Sequence, residues 1–214
     1  MSAPAELTLA ELVARARELA AGAPRRLLGI AGAPGAGKST LAARLVAALG
    51  GVAALVPMDG FHLAGSELRR LGRESRKGAA DTFDAAGYVA LLHRLRERGP
   101  EPVYAPEFRR DIEEPIAGAI GVPAEVRLVV TEGNYLLLPD PPWSEVRRIL
   151  DEIWFLDLAA EIRLRRLVDR HVAYGRTVAA AEAWARGSDE ANARLIATTA
   201  PRADLVVRLR EPDE

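Results

Sequence analysis

RLLGIAGAPGAGKSTLAARLVAALG, residues 26–50, reads in turn as strand, loop and helix. An apolar run from Leu27 to Ile30 enters a glycine-rich connection, after which Leu41, Leu45, Val46 and Leu49 recur on one helical face until Gly50 and Gly51 stop it. The connection itself, GAPGAGKS (residues 32–39), fits G-x-x-x-x-G-K-[ST] without a gap, between the strand and the helix that this pattern requires. Its glycines allow tight or positive-φ backbone, so successive N–H groups can turn inward onto an anion, and the helix beginning near Lys38 adds the positive end of its dipole. Phosphate suits such a cradle. The candidate nucleotide-binding residues are therefore Gly32, Ala33, Pro34, Gly35, Ala36, Gly37, Lys38, Ser39 and Thr40. Lys38 reaches for the β- and γ-phosphates, Ser39 offers its hydroxyl to magnesium and Thr40 helps to hold the α-phosphate.

The alternation continues outward from this unit. VAALVPM (52–58) reads as a strand with Pro57 near its end, VRLVVTEGNYLLL (126–138) as a buried strand closing on an acid, and EIWFLDL (152–158) and ADLVVRL (203–209) as two more. Thr8 and Glu11 have capping-box spacing ahead of a helix that ends at Gly22. Asp84 stands at the N-cap of another, whose stripe of Tyr88, Leu91, Leu92 and Leu95 leaves His93 on the surface. The prolines and glycines of residues 99–123 indicate an excursion or lid with no regular element. Strands and helices alternating five times over favour a parallel sheet covered on both faces.

Composition narrows the classes. The 214 residues are 49% hydrophobic and 28% charged with a net charge of -1, which excludes a disordered chain and gives no sign of nucleic acid as a partner. Without cysteine there is no disulfide, thiolate nucleophile or thiolate-bound metal, and three histidines leave zinc unexpected. Charges throughout residues 1–22 argue against a secretory signal or a membrane span, so a cytoplasmic protein is expected. Of 29 lysines and arginines only Lys38 and Lys77 are lysine, positions where a compact ammonium is preferred to a planar fork.

Ligands of open α/β sheets sit beyond the carboxyl ends of the strands, where Asp59 and Glu132 close two apolar runs. Glu132 has the place of an acid that positions magnesium, with Ser39 as the other metal-binding candidate. Asp59 is read either as a turn residue, since Asp-Gly is common in turns, or as the carboxylate that takes a proton from an acceptor hydroxyl. Phe61 and His62 would then shape the acceptor pocket. Asp157 ends a further strand and is read as an N-cap.

Taken in order, GAPGAGKST, MDGFHL (58–63), KGAADTFD (77–84) and TEGNYLLL (131–138) resemble the P-loop kinase group that contains uridine kinase, phosphoribulokinase and bacterial pantothenate kinase. The resemblance covers residues 27–207 and is greatest to small nucleoside/nucleotide kinase-like proteins, some labelled fructose-transport-associated kinases. It implies one α/β domain over residues 1–214, a P-loop NTPase of three α/β/α layers. Its parts would be a five-stranded parallel sheet, a substrate-binding insertion near residues 100–123 and a helical lid near 160–187. It also implies that Asp59 is the general base. Lys77 and Gly78 are similar to the pantothenate kinase pattern, while Asp81, Phe83 and Asp84 are similar to the uridine kinase one. Where uridine kinases present an aromatic followed by His and Arg, this chain has Phe108, Arg109 and Arg110, and either arginine could grip an anionic substrate through its fork. With Tyr135 and Glu132 these complete the acceptor-binding candidates.

EIRLRRLVDRHVAYGRT (161–177) places Arg163, Arg166 and Arg170 on one helical face, with Arg176 beyond Gly175. In the resembling group a lid here delivers arginine to the phosphates, which makes Arg166 and Arg170 the catalytic candidates beside Lys38 and Asp59; the alternative is an ordinary solvated helix. The same likeness maps the adenine near Asn192 and residues 198–204, and Ser188 reads as a helix cap. The function expected is transfer of the γ-phosphoryl of ATP, with Mg2+, to a hydroxyl of a small metabolite. Nucleoside-like, sugar and pantothenate-type acceptors all stay open, as does a homodimer. A switch ATPase acting through a protein partner is the alternative of another class. Neither nucleic acid nor membrane is an expected partner.

Overall fold

The computed structural model describes residues 3–22 and 24–210. In chain order its first half runs β1 (Ala5–Leu7), α1 (Leu9–Ala21), β2 (Arg26–Ala31), α2 (Lys38–Leu49), β3 (Ala53–Leu55), α3 (Gly65–Arg70) and α4 (Ala85–Glu97). There follow β4 (Val103–Arg109), β5 (Glu114–Val122), β6 (Leu128–Gly133), α5 (Trp143–Ile149), β7 (Glu152–Leu156), α6 (Ala160–Ala173), α7 (Val178–Trp184), α8 (Glu190–Ala197) and β8 (Leu205–Leu209). Among the described residues no helix is long and apolar enough to cross a membrane.

Six strands lie parallel in the order β1-β8-β7-β2-β6-β3, one more than the five expected. The extra strand is β1, which pairs Ala5 with Val207 and Leu7 with Leu209 at the sheet edge. Three residues are too few to display a period-2 pattern, so pairing with β8 alone defines it. Neighbouring residues of the central strands point to opposite faces. Leu28, Ile30, Leu128, Val130 and Trp154 pack under α1 and α2, while Leu27, Val129, Ile153 and Phe155 pack under α4 and α5. Both faces are covered, which is why these strands read as continuous apolar runs.

The ends of two helices follow from local chemistry. Thr8 and Glu11 form the capping box ahead of α1, and Asp84 Oδ1 accepts the Gly87 N–H at 2.8 Å to open α4. Residues 99–123 are more regular than expected: β4 and β5 make an antiparallel hairpin from Val103↔Val122 to Arg109↔Glu114. Pro106 sits at a register shift between Ala105 and Glu107, where its missing N–H does not interrupt the ladder. Behind the hairpin, buried Arg25 donates to the carbonyls of Val126, Leu95 and Pro123 at 2.8, 3.1 and 2.6 Å, tying α4 to the link between the hairpin and β6. The helices after β7 run through one turn of π-helix, Ala185–Asp189, so Ser188 lies inside helical backbone and caps nothing.

Candidate active site

The loop between β2 and α2 is a turn that glycine makes possible. Gly35 and Gly37 take φ of 79° and 96°, and Gly37 is the left-handed residue from which α2 starts. A Cβ on Gly35 would also lie 2.8 Å from the Arg163 carbonyl oxygen of α6, so the loop is packed as well as bent. Lys38, first in α2, is buried, and its Nζ donates to Asn134 Oδ1 at 2.7 Å and to the Ala33 carbonyl at 3.1 Å. Burial brings the ammonium down to about 8, against the opposing pull of the Glu132 and Asp59 carboxylates. Glu132 closes β6 beside it and accepts the Ser39 hydroxyl at 2.9 Å; burial and the neighbouring Asp59 push its carboxyl above the usual range.

Asp59 sits on a single turn of 3-10 helix, Met58–Phe61, that begins where Pro57 ends the extended run after β3. Its carboxylate faces Arg110 from the hairpin, Oδ2 to Nη2 at 3.3 Å. His62 engages the backbone of Asp59, its Nδ1 donating to the carbonyl oxygen at 2.7 Å. The His62 ring lies 4.0 Å from Phe83 and 4.5 Å from Phe108 between centroids, and this burial holds its imidazole below the ordinary value.

Two cavities meet over the loop. The first, about 470 Å³, is lined by Asp59, His62, Lys77, Phe83, Phe108 and Glu132 among others, and the second, about 460 Å³, by Gly37, Thr40, Arg44, Leu158, Arg166 and Leu209. Gly35, Lys38, Ser39, Arg110 and Arg170 line both. Most acceptor candidates therefore share one space, but three do not. Tyr135 is buried and donates its hydroxyl to the Gly78 carbonyl; Phe61 turns inward, edge-on to Tyr88 at 5.2 Å. Arg109 follows strand alternation to the side opposite Phe108 and Arg110 and pairs with Asp111 at 2.8 Å.

On α6 the three arginines part company. Arg170 reaches both cavities, and burial together with neighbouring Arg110 holds its guanidinium below the usual range. Arg166 faces only the second cavity. Arg163 is buried against Glu190 and donates to the Pro34 carbonyl at 3.3 Å, which brings it to the back of the loop, away from any ligand. Asp157 accepts from Arg208 and does not cap α6, whose N-cap is Ala159. Residues 198–204 lead into the N-terminal ends of the strands, the opposite end from the cavities: Asp204 accepts the Ile153 N–H at 2.7 Å where β7 begins. They are not near the nucleotide loop, because β8 runs parallel and starts there. Asn192 lines the first cavity.

Sequence reading missed Asn134, two residues past Glu132 on the same rim, a spacing that strand alternation could have flagged. A helical lid near residues 160–187 was expected, but not the contacts inside the α6–α8 segment, where His171 Nε2 meets Asp189 Oδ2 at 2.8 Å and Arg176 lies 4.3 Å over the Trp184 ring. Those contacts join residues 8 to 18 apart across a turn and leave no periodic trace.

Among the described residues no group of three or more His, Asp or Glu could hold a metal by itself. Magnesium needs less, since it commonly takes one or two protein oxygens and completes its shell with water and phosphate. The hydrogen-bonded Ser39 hydroxyl and Glu132 carboxylate are a hard-oxygen pair that fits this habit.

The sequence model of the phosphoribulokinase/uridine kinase family matches residues 27–213. A Schizosaccharomyces pombe protein provisionally named a uridine kinase is 35% identical over 184 residues, 82% of this chain and 78% of its own. An ATP-dependent kinase-like protein of Aspergillus versicolor is 35% identical over 164 residues, 72% of this chain and 90% of its own. Among solved structures, a Silicibacter sp. TM1040 protein provisionally named a fructose transport system kinase is 41% identical. It aligns at a TM-score of 0.85 over 94% of this chain and 98% of that one.

Proposed function

Because the chain belongs to the phosphoribulokinase/uridine kinase family, small-molecule kinases that work by ATP-dependent phosphotransfer, we propose that it moves the γ-phosphoryl of ATP to a hydroxyl of a small metabolite, with Asp59 as base. The observation that carries this reading is the meeting of two cavities at Lys38 and Ser39, with Asp59 on the acceptor side only. A nucleotide whose phosphates occupy the loop takes Lys38 from Asn134 and the Ala33 carbonyl onto phosphate oxygens. Its base and ribose extend into the second cavity, along Arg166 and Leu209. Ser39 and Glu132 would hold Mg2+, which when bound offsets phosphate charge and orients the triphosphate.

The acceptor hydroxyl lies against Asp59, whose carboxylate takes the proton as the new O–P bond forms and the bond to the ADP oxygen breaks. Arg170, reaching both cavities, balances charge on the group in transit. A switch acting through a protein partner would have no use for the first cavity, about 470 Å³, beside its nucleotide site. On the acceptor side, the His62, Phe83 and Phe108 rings favour a nucleoside-like compound with a planar or ring-shaped body, ahead of sugar or pantothenate-type acceptors.

The test is incubation with ATP, Mg2+ and a metabolite library, followed by mass spectrometry. One class of hydroxyl compound should gain a phosphoryl group in step with ADP release. ADP release that no metabolite stimulates, but a protein does, would replace the kinase reading with the switch.

A further inference from the structure

A phosphoryl group passing from nucleotide to acceptor must cross the border of the two cavities, and five residues line both: Gly35, Lys38, Ser39, Arg110 and Arg170. Three of these carry positive charge, and they come from three separate elements. Lys38 opens α2, Arg170 lies on α6, and Arg110 is at the tip of the β4–β5 hairpin. We infer that Arg110 is a catalytic residue that contacts the transferred phosphoryl group directly, an arginine delivered from the acceptor side to face Arg170 from the lid side. This inference rests on the kinase reading above and adds to it a residue whose expected task was only to hold the acceptor.

The seat of the hairpin fixes where Arg110 falls. A Cβ on Gly60, the residue after Asp59, would stand 2.3 Å from the Pro106 carbonyl oxygen, so β4 is pressed against the Asp59 turn with backbone touching backbone. Two residues on, Phe108 closes over the His62 ring at 4.5 Å and under Lys77 Nζ at 5.1 Å. Strand alternation then carries Arg110 to the same side and sends Arg109 away to Asp111. The Arg110 contact with Asp59 uses one Nη at 3.3 Å, which leaves the other edge of the fork facing the cavities. Arg170 is close enough for the charge of Arg110 to be felt at its own guanidinium. Two cations this near, both lining the border of the two cavities and with one carboxylate beside them, make a place for an anion with several oxygens.

This arrangement links proton transfer to charge stabilisation. Before reaction, ionised Asp59 neutralises Arg110. As the acceptor O–H bond breaks, its proton goes to Asp59; the acceptor oxygen bonds to phosphorus, and the electrons of the old P–O bond leave with ADP. The pair between Asp59 and Arg110 has then lost its negative member, and the guanidinium turns its full charge to the equatorial oxygens of the transferred group. Lys38, Arg170 and Arg110 surround those oxygens from three sides.

The experiment avoids the acceptor altogether. Affinity for ADP with Mg2+, and for ADP with Mg2+ and aluminium fluoride, which imitates the phosphoryl in transit, is measured for the wild type, Arg110→Ala, Arg110→Lys and Arg109→Ala. Arg110→Ala should bind ADP within twofold of the wild type but lose at least tenfold in affinity for the aluminium fluoride complex. Arg110→Lys should recover part of that loss, and Arg109→Ala should match the wild type. If Arg110→Ala keeps wild-type affinity for the complex, Arg110 does not touch the phosphoryl. An equal loss for ADP alone would likewise overturn the inference, making it a ground-state or folding contact. The base assignment fails by a different measurement, acceptor-dependent turnover in Asp59→Asn, so the two readings can fall separately.

Discussion

At Asp59 the sequence left two readings open, turn residue or base, and the 3-10 turn that carries it is compatible with both. What distinguishes them is what the carboxylate faces: a cavity shared with Lys38 and Glu132, and an arginine from another element. A turn aspartate bonds to its own backbone two residues on. Asp59→Asn keeps the shape and removes the basicity, so turnover should fall on the order of 100- to 10,000-fold while ATP affinity stays near wild type. Product formation by the variant at a comparable rate would take the base role away. His62 supports a second expectation. Burial among Phe83 and Phe108 holds its imidazole below the ordinary value of about 6.5, with Lys77 and Arg110 acting in the same direction and Asp59 against it. The folded state therefore prefers the neutral ring, and the unfolded chain takes the proton first as pH falls. Stability from this source is complete above about pH 6.5 and declines below it. Comparing urea midpoints at pH 7.5 and 5.5, the wild type should lose more than His62→Gln; equal losses would show that another group is responsible.

Among the elements, those legible in the sequence carry their own signal. The Gly32–Ser39 loop needs a strand before it and a helix after it, Thr8 and Asp84 announce their helices, and the buried strands are uninterrupted apolar runs. Elements that exist only through a partner were not legible. Strand β1 is defined by β8, and the hairpin by cross-strand pairing through two prolines and two glycines. The arginines of α6 shared one helical face, yet what each one meets is decided by the loop, by α8 and by the hairpin, so periodicity could not separate Arg163 from Arg170. Arg25 is a further case, an arginine before a strand that gives no hint of burial. Its guanidinium donates to three carbonyls, one on α4 and two on the link between β5 and β6. Arg25→Met would take a donor from each of these carbonyls, leaving Pro123 only the Val126 N–H at 3.3 Å, and at roughly 1 kcal/mol for each lost bond the cost should be about 3 kcal/mol in urea unfolding. A cost below about 1 kcal/mol would mean that water replaces the guanidinium.

For the molecule as a whole, the parallel sheet gathers its strand ends at one rim, and two additions complete the site there: the hairpin over the acceptor side and α6 over the loop. The second cavity, proposed above to take the nucleotide, is built from α2, α6 and the ends of β7 and β8, and it makes no use of the hairpin apart from Arg110. Loosening the hairpin should thus impair transfer without unseating ATP. Gly60→Ala does this at one point, because its Cβ would meet the Pro106 carbonyl oxygen at 2.3 Å and the carbonyl carbon at 2.7 Å, and backbone cannot swing aside as a side-chain end can. The hairpin must move away, taking Phe108 off His62 and Arg110 off Asp59. Displacement of catalytic groups by about 1 Å costs on the order of 100-fold, and overpacking of this kind roughly 1–3 kcal/mol of stability. Phosphorylation by Gly60→Ala should accordingly fall by about 100-fold with a lowered melting temperature, while the dissociation constant for ATP with Mg2+ stays within about twofold. If ATP binding were lost in proportion to turnover, the hairpin would belong to the nucleotide site and the division into two cavities would be wrong. Unchanged turnover would mean that the hairpin tip moves freely and that its contact with Asp59 has no part in the reaction.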